Sequence, residues 1–235
     1  YGSRNNKEDI NMAGIVYKKI DRPPKELIKA FRNIHTSIIS DCLNRSYAMK
    51  AEIQPIFDGV RVCGPAITVQ CLCGNNIASH IALTLCQKGD VIVIDGRGHP
   101  DTSIWGGIQT IYAKKIGVQG AVIDGAIRDA AEIRKRKFPV FCKGIVPTGP
   151  HKGWGDSVNV PIQCGGVPVN PGDLIVGDDD GIVVVPKMRL KEILNASRKR
   201  LALEKQWEKR MASGQNTLEA VGLVKHLESL DIEYR

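Results

Sequence analysis

Hydrophobic residues in the N-terminal part of the chain follow first a helical and then a strand-like spacing. Pro23 and Pro24 precede a stretch in which apolar residues recur every three or four positions, which predicts one amphipathic helix through Leu27, Ile28, Phe31, Ile34, Ile38 and Cys42. Residues 53–72 have the shorter pattern of strands, interrupted by a Gly-Pro pair. Residues 75–87 return to helical spacing and predict a second helix.

The middle of the chain repeats the order strand, glycine-containing segment, helix. Residues 91–95 and 121–124 are short apolar runs, which predict two buried strands. The first is followed by a glycine-rich loop at 96–107 and a helix, and the second by a tight turn at 125–127 and a helix at 128–137. This order of elements predicts a mixed or parallel sheet flanked by helices, in a domain of the α/β class.

Three local patterns favour structural roles over binding sites. Residues 178–180 are three aspartates followed by a glycine, which predicts a hairpin turn, because a calcium loop needs ligands spread over about twelve residues. The Cys-Leu-Cys sequence at 71–73 predicts two thiols on one buried strand face rather than a zinc site with His80. The Asp-Gly-Arg-Gly sequence at 95–98 lacks the third glycine of a dinucleotide-binding loop, which argues against a methyltransferase.

The two ends of the chain differ from its middle. A long charged helix is predicted from Met188 onward, followed by a shorter one near residues 218–230. The polar residues 1–11 precede a plausible start at Met12, and we expect them to be disordered or foreign to the domain. The sequence therefore predicts one domain over residues 12–186 and a C-terminal helical extension over residues 187–235.

Composition narrows the class of protein without identifying it. With 43% hydrophobic and 25% charged residues and only strand-sized apolar runs, the sequence predicts a globular protein without a membrane span. The net charge of +8 raises the possibility of nucleic-acid binding, but the cations concentrate at 134–137 and 198–210 and no aromatic residues interleave with them, so nucleic acid is disfavoured. Seven cysteines are an odd number, which favours a reduced, cytoplasmic protein over a disulfide framework.

The candidate chemistry begins at a pair of glycines before a helix. Gly106 and Gly107 leave the first helical amides, including those of Ile108 and Gln109, free to bind an anion such as a carboxylate. Twenty residues separate Gly107 from Arg128, enough for one helix and one strand. That crossover returns the chain to the same end of the sheet, where open α/β sheets bind ligands.

Three polar residues at this end suit one type of chemistry. Arg128 can donate to a keto oxygen and stabilise negative charge that develops there. Asp129 and Glu132, one helical turn apart, offer hard oxygen ligands for Mg²⁺ or Mn²⁺, and such an ion acts as a Lewis acid on a 2-keto acid. The alternative is that Arg128 and Asp129 cap a helix while Glu132 pairs with Lys135 or Arg136 in water, and spacing alone leaves both open.

A series of motifs over residues 64–186 resembles a known family. The motifs are Lys88-Gly89-Asp90, Val-Ile-Asp-Gly at 122–125, Ala-Ile-Arg-Asp at 126–129, Pro171-Gly172-Asp173 and Asp-Asp-Asp-Gly at 178–181. In this order they resemble the family of 4-hydroxy-4-methyl-2-oxoglutarate / 4-carboxy-4-hydroxy-2-oxoadipate aldolases and RraA-like proteins, named for an inhibitor of RNase E. The resemblance implies a three-layer β/β/α fold, similar to a phosphohistidine domain, and a homo-oligomer, either a trimer or a dimer of trimers.

The resemblance also assigns roles, with one departure from the aldolase pattern. Aldolases of the family have an aspartate, twenty intervening residues and then the Arg-Asp pair. This chain has Gly107 in place of the aspartate and an acid, Glu132, that follows the pair after two intervening residues, like the RraA-like branch. The resemblance implies that Asp129 binds the metal directly, that Arg128 contacts the keto oxygen and that Glu132 replaces the lost acid. It further implies decarboxylation of oxaloacetate through a pyruvate enolate, which the missing aspartate favours over aldol cleavage.

Three more residues are carried over from the resemblance, each with an open alternative. His80 matches a histidine near the aldolase site, or else is a hydrogen-bonded structural residue. Lys152 could bind a distal carboxylate, although a position on a solvated loop is favoured. Glu204 matches an acid that reaches a neighbouring subunit's metal through water, or else pairs with Arg200 on a solvated helix face. If Glu204 acts on a neighbour, the helical extension at 187–235 provides oligomer contacts.

A second class of function competes with the enzyme. The RraA-like branch also implies a non-catalytic regulator that docks on an RNase E-like nuclease or a helicase. Docking on a basic RNA-binding surface is mildly disfavoured by the net charge of +8, because like charges repel across an interface. The sequence therefore favours a metal-dependent lyase for 2-keto acids.

Overall fold

The computed structural model describes residues 14–153 and 155–233. The prediction for residues 1–11 and Met12 lies outside them. No helix in this part of the chain is both long enough and apolar enough to cross a membrane. The helices are α1 (Lys25–Phe31), α2 (Thr36–Cys42), α3 (Ile77–Leu85), α4 (Gly107–Ile116), α5 (Ala130–Lys135), α6 (Leu190–Ala212), α7 (Thr217–Val221) and α8 (Val224–Glu228). The strands are β1 (Gln54–Pro55), β2 (Val62–Gln70), β3 (Val91–Trp105), β4 (Gly120–Ile127), β5 (Val140–Ile145), β6 (Ser157–Val158), β7 (Ile162–Cys164), β8 (Val167–Val169), β9 (Leu174–Asp178) and β10 (Gly181–Val185).

A mixed sheet forms the centre of the domain. Its strand order is β1-β5-β4-β3-β2-β9-β10, and β6 also pairs with β2. The four strands from β2 to β5 run parallel, whereas β1, β6, β9 and β10 are antiparallel to their partners. Strands β7 and β8 form a separate hairpin. Because parallel strands need a crossover, α3, α4 and α5 each connect two of them.

The sheet is buried on both faces, which produces the three layers expected from the sequence. One face packs against α3, α4 and α5 through residues such as Ile92, Ile94 and Ile123. The other packs against the β7–β8 hairpin through residues such as Val93 and Val122. A third core joins α1, α2 and the start of α6 to β9 and β10. The strands read as continuous apolar runs because neither face meets water.

The predicted single helix between Leu27 and Cys42 is wrong, because the structure has two helices there. α1 ends at Phe31, His35 is extended, and α2 starts at Thr36. The carboxylate of Asp178 accepts hydrogen bonds from the backbone N–H and the hydroxyl of Thr36, at 3.0 and 2.5 Å. A residue distant in sequence therefore satisfies the free amide at the start of α2, and local periodicity cannot reveal such a cap.

The predicted loop at 96–107 and turn at 125–127 are also wrong, because both strands continue through them. β3 runs to Trp105 and β4 to Ile127, with irregular register after the pair Asp95 and Asp124. A Cβ atom on Gly96 would lie 2.7 Å from the carbonyl oxygen of Asp124, so the bare glycine permits this close pairing. The glycines indicate a bulged strand here, not a break between elements.

Other local predictions have mixed outcomes. The aspartate turn is confirmed, since β9 ends at Asp178 and β10 begins at Gly181. The long C-terminal helix is confirmed as α6, and the shorter one is divided into α7 and α8 at Gly222, which has a positive φ of 82°. The two thiols at 71–73 do not share a buried face: Cys71 is buried and Cys73 exposed, because β2 ends at Gln70.

Candidate active site

A cavity of about 240 Å³ lies at the carboxyl ends of β3 and β4 and contains most of the predicted site. Eight predicted residues line it together: His80, Gly106, Gly107, Ile108, Gln109, Arg128, Asp129 and Lys152. Three further residues complete the lining, namely Asn76, Trp105 and Pro150. Glu132 and Glu204 are not among the lining residues.

Asp129 connects the end of β4 to the start of α4. Its Oδ2 accepts a hydrogen bond of 2.9 Å from the backbone N–H of Gly107, the first residue of that helix. Its backbone has φ 59° and ψ 34°, a left-handed conformation that a residue other than glycine adopts at some energetic expense. Strain of this kind concentrates at functional sites, where the surrounding structure holds a side chain in one direction.

The anion cradle predicted at the start of α4 already has one occupant. The carboxylate of Asp129 takes the Gly107 amide, which leaves the next amides, of Ile108 and Gln109, as the remaining helix-terminal donors. The Gln109 side chain is buried and donates to the hydroxyl of Ser79 at 2.5 Å, so it joins α3 to α4. Ile108 has 75% of its surface exposed at the mouth of the cavity.

Gly106 is required by close packing rather than by its dihedral angles. A Cβ atom at this position would lie 2.8 Å from Oδ2 of Asp129 and 3.1 Å from Cγ of Arg128. Its φ of −166° is ordinary extended backbone. The absent side chain therefore leaves the space that the carboxylate and the arginine stem occupy.

Arg128 lies beside this carboxylate and against the loop that follows β5. Its Nε is 3.7 Å from Oδ2 of Asp129, and both side chains are about half exposed. A Cβ atom on Gly149 would be 2.7 Å from Nη1 of Arg128, so the guanidinium packs directly on that glycine. The guanidinium can donate into the cavity because its planar group has five N–H donors.

Glu132 pairs with Arg136, as one of the two alternatives predicted. Nε of Arg136 donates to Oε1 of Glu132 at 2.8 Å, across one turn of α5. The stem of Glu132 nevertheless lies close to Gly107, the position where aldolases have an aspartate. A Cβ atom on Gly107 would lie 3.5 Å from Cγ of Glu132. The space that a side chain at position 107 would enter is therefore bordered by Glu132.

His80 and Lys152 face the cavity from different elements, α3 and the loop after β5. Burial lowers the pKa of the His80 imidazole, and the positive charge of Lys152 lowers it further. A lowered pKa keeps the imidazole neutral near pH 7, so it can accept a proton.

Asn76 is a cavity residue that the sequence reasoning missed. Its Nδ2 lies 3.5 Å from Nε2 of His80, and its side chain is almost completely buried. Within the described residues its Oδ1 has no hydrogen-bond partner. Asn76 is the N-cap residue of α3, four positions before His80, and this spacing was an available signal.

Trp105 forms the apolar wall of the cavity. It is 1% exposed, its indole N–H donates to the hydroxyl of Thr110 at 2.9 Å, and its ring stacks on Phe138 with centroids 6.4 Å apart. Its carbonyl oxygen accepts from the backbone N–H of Arg128 at 3.0 Å. The buried ring therefore fixes the backbone that carries Gly106 and Arg128.

Glu204 lies on α6 and pairs within its own helix. Nε of Arg200 donates to its Oε1 at 3.1 Å, and the same guanidinium reaches Asp41 of α2 at 3.1 Å. This is the solvated-face pairing that the sequence left as an alternative. Action on a neighbouring protomer stays a prediction.

The carboxylates can be tested for their fit to a divalent ion. Among residues 14–153 and 155–233, no group of three or more histidine, cysteine, aspartate or glutamate side chains could hold a metal. Mg²⁺ typically uses only one or two carboxylates together with water and substrate oxygens. Asp129 meets this requirement, because its Oδ1 has no hydrogen-bond partner in the described chain while the Gly107 amide orients Oδ2. The donor set therefore fits a hard divalent ion shared with a ligand.

Comparison with known proteins assigns the family. The family model described as RraA-like, Aldolase/RraA, matches residues 36–184. A protein of Halalkalibacterium halodurans provisionally named 4-hydroxy-4-methyl-2-oxoglutarate aldolase is 42% identical over 177 residues, which are 75% of this chain and 84% of that protein. The chain belongs to the RraA-like family, and the predicted resemblance is confirmed.

Solved structures agree with this assignment. The crystal structure of Streptomyces coelicolor RraAS2, described as an unusual member of the RNase ES inhibitor RraA protein family, has a TM-score of 0.73 and 32% identity, covering 80% of this chain and 100% of that one. A Pseudomonas syringae protein has a TM-score of 0.74 and 27% identity, covering 86% of this chain and 99% of that one. The fold is therefore the RraA-like fold predicted from the sequence.

Proposed function

We propose that the protein is a Mg²⁺- or Mn²⁺-dependent lyase for 2-keto acids, with oxaloacetate decarboxylation as its first activity and cleavage of 4-hydroxy-4-methyl-2-oxoglutarate as its second. One observation carries the proposal: the Asp129 carboxylate, the Arg128 guanidinium and the first amides of α4 surround one small cavity. The provisional aldolase name of the H. halodurans relative supports the same class of reaction.

The chain's own groups divide the binding of a 2-keto dicarboxylate among them. The amides of Ile108 and Gln109 take the carboxylate next to the keto group, because a helix N-terminus favours an anion. Arg128 donates to the keto oxygen. Lys152, on the loop across the cavity, binds the distal carboxylate, and the buried Trp105 excludes water from one side.

Asp129 would hold the divalent ion, with Glu132 as the second acid beside Gly107. Bound there, the ion supplies Lewis-acid chemistry toward the keto group. When the bond from the oxaloacetate methylene carbon to its carboxylate breaks, carbon dioxide leaves, the electron pair forms the enolate double bond and the negative charge moves to the keto oxygen. Arg128 stabilises the charge on that oxygen, and a proton from solvent then adds to the methylene carbon and gives pyruvate.

Aldol cleavage needs one step more than decarboxylation. A hydroxyl proton of the substrate must be removed before the carbon–carbon bond breaks, and Gly107 supplies no carboxylate for this. His80 is the candidate base, because its lowered pKa keeps the imidazole neutral. We therefore place decarboxylation before aldol cleavage in the proposed order of activity.

The test measures pyruvate released from oxaloacetate with Mg²⁺, with EDTA, and with an Asp129→Ala variant. We expect activity to fall at least a hundredfold in the last two, as when a transition-state contact is removed. Asp101→Asn, an exposed aspartate of β3 outside the cavity, is the matched control and should retain full activity. Turnover that persists unchanged with EDTA or without Asp129 would refute the proposal.

In this proposal Glu204 of one protomer serves the site of another through water, so the helical extension at 187–235 provides the contacts of a trimer or a dimer of trimers. The experiment mixes inactive Asp129→Ala and Glu204→Gln chains under conditions that allow subunit exchange. Because mixed oligomers contain sites with both natural residues only if Glu204 acts between protomers, recovered activity supports the arrangement. No recovery from two separately inactive chains contradicts it.

A second candidate function is supported by the similarity to RraAS2, whose description names an RNase ES inhibitor family. The protein would then dock on an RNase E-like nuclease or helicase and alter its activity. The experiment compares nuclease binding and RNA cleavage for the natural chain and Arg128→Ala. Equal inhibition by both chains, without turnover of any keto acid, favours the regulator over the lyase.

A further inference from the structure

On three neighbouring parallel strands, a row of buried side chains on one face is followed by an ionisable residue. The three ionisable residues lie at about the same height in the sheet. The rows are Val91, Val93 and Asp95 on β3, Val122 and Asp124 on β4, and Phe141 and Lys143 on β5. Alternate residues of a strand share a face, and Asp95 and Asp124 are direct register partners. The three polar groups therefore stand together on the sheet face opposite α3, α4 and α5.

A cavity of about 310 Å³ opens over these three residues. Lys50, Glu52 and Arg97 also line it, together with the glycine turn at residues 165–166 that joins β7 to β8. None of these residues lines the Asp129 cavity, which lies on the helical side of the same sheet edge. Its volume is at the small end of ligand pockets, which span about 300–1,000 Å³.

Each aspartate offers one oxygen to the cavity. Oδ1 of Asp95 accepts from the backbone N–H of Arg97 at 2.9 Å, and Oδ2 of Asp124 accepts from that of Gly165 at 2.8 Å. The other oxygen of each accepts no hydrogen bond in the described part of the chain. Burial raises the pKa of Asp95, the hydrogen bond from the Arg97 backbone and the Arg97 charge lower it, and the negative charge of Asp124 raises it. A cationic group between the two carboxylates would reduce their mutual repulsion.

The same cavity is lined by three basic side chains, those of Lys50, Arg97 and Lys143. Lys143 is 2.9 Å from Glu52, and no other ion pair involves Lys50 or Arg97 within the described residues. Gly98 keeps the space beside Lys143 open: its φ is +67°, and a Cβ atom there would lie 3.2 Å from Nζ of Lys143 and 3.5 Å from Oδ1 of Asp124. The bulge of β3 after Asp95 therefore shapes the cavity wall.

We infer that this cavity binds a small zwitterion of the α-amino acid type, with its ammonium group on Asp95 and Asp124 and its carboxylate on Lys50 and Arg97. The two aspartates would repel a simple anion, and the three basic side chains would repel a simple cation. A molecule with one charge of each sign satisfies both, which is electrostatic complementarity at the scale of one ligand. The inference is independent of the lyase chemistry proposed above.

The experiment is calorimetric titration of the full chain with glycine, L-alanine, L-serine and L-aspartate, followed by single-charge analogues of alanine. Ethylamine lacks the carboxylate and propionate lacks the ammonium group. We expect at least one amino acid to bind about tenfold or more tightly than both analogues, because each analogue loses a charge-assisted contact. No binding by the four amino acids, or equal binding by an analogue, would overturn the inference.

Variants locate the site. Asp95→Asn and Asp124→Asn keep the acceptor oxygen that the backbone uses but remove the charge, and Lys50→Gln tests the exposed rim; each should weaken binding about tenfold. Asp101→Asn is the matched control on the same strand, and Arg128→Ala tests the other cavity; both should bind normally. Binding that Arg128→Ala abolishes, or that all three cavity variants keep, overturns the assignment, as does binding of Mg²⁺ alone that Asp95→Asn abolishes.

Discussion

The two cavities lie at the same edge of one sheet, on opposite faces, and they obtain their polarity in different ways. The Asp129 cavity meets the N-terminus of α4, so backbone amides add to the positive charge of Arg128 and Lys152, and it has apolar walls such as Trp105 and Ile108. The Asp95 cavity is covered by the β7–β8 hairpin and has no helix terminus, so six charged side chains supply its polarity.

This difference sets how precisely each cavity is held. In the Asp129 cavity a strained backbone, a glycine without space for a side chain and a buried tryptophan fix the polar groups. In the Asp95 cavity long side chains such as Lys50 and Arg97 provide much of the charge, and they keep rotamer freedom. We expect the first to suit a reaction, which needs exact placement, and the second to suit reversible binding.

The largest difference should come from filling the space at Gly106. In Gly106→Ala the new Cβ would lie 2.8 Å from Oδ2 of Asp129, so the carboxylate and Arg128 must move. We expect oxaloacetate turnover to fall about a hundredfold, since small misplacements have effects of this size. Gly144→Ala, where nothing lies within 4 Å, is the control and should turn over normally. Normal turnover by Gly106→Ala would contradict the geometry.

The corresponding change in the other cavity should affect stability and amino-acid binding. Gly98 has a φ of +67°, so Gly98→Ala should lower the free energy of unfolding by about 1–2 kcal/mol, measured in urea, and leave turnover unchanged. Gly59→Ala has a similar φ of +73° with nothing within 4 Å, and it measures the dihedral contribution alone. If only Gly98→Ala weakens amino-acid binding, crowding near Lys143 is the cause.

Replacement of Glu132 tests whether this residue only forms an ion pair on the surface of α5 or also acts beside Asp129 in the first cavity. Its ion pair with Arg136 is well exposed, so Glu132→Gln should change unfolding free energy by less than about 1 kcal/mol. Glu192→Gln, which breaks a similarly exposed pair with Arg189, is the control for stability. A fall in turnover for Glu132→Gln alone supports its role beside Asp129, and unchanged turnover leaves it as a helix-surface pair.

The smallest effect concerns the pH dependence contributed by His80. Because its pKa is lowered in the folded protein, the unfolded chain binds a proton first as the pH falls below about 6.5. The contribution of neutral His80 to stability is present above that pH and is lost as the pH falls toward the folded pKa. His80→Gln should therefore lose less unfolding free energy than the natural chain in this window. His226→Gln, at an exposed position outside the cavity, is the control, and an equal change of slope in that variant would contradict the assignment to His80.

Much of the fold could be predicted because local patterns determine it. The apolar runs at 91–95 and 121–124 identified central strands, and the aspartates before Gly181 identified a turn. The break between α1 and α2 could not be predicted, because Asp178 caps α2 from a distant strand. The extension of β3 past Gly96 also depends on a neighbouring strand, since glycine there permits close pairing that is invisible locally.

Spacing and resemblance predicted which residues of the candidate site lie together, but not the contacts among them. The return of the chain from Gly107 to Arg128 correctly placed both at one cavity. The hydrogen bond from the Gly107 amide to Asp129 depends on a left-handed residue, which the sequence does not signal unless that residue is glycine or asparagine. The Asn76 amide was missed because its spacing from His80 does not show that its side chain is buried beside the cavity.

The wall formed by Trp105 gives the first cavity a spectroscopic reporter. Its buried indole stacks on Phe138 and lines the cavity, whereas Trp207 lies on α6 under the guanidinium of Arg200. The chain has a third tryptophan, Trp154, so a chain with both Trp154→Phe and Trp207→Phe emits from Trp105 alone. Titration with a 2-keto acid should quench or shift that emission, and an amino acid seated under the hairpin should leave it unchanged, so one spectrum distinguishes which face of the sheet is occupied.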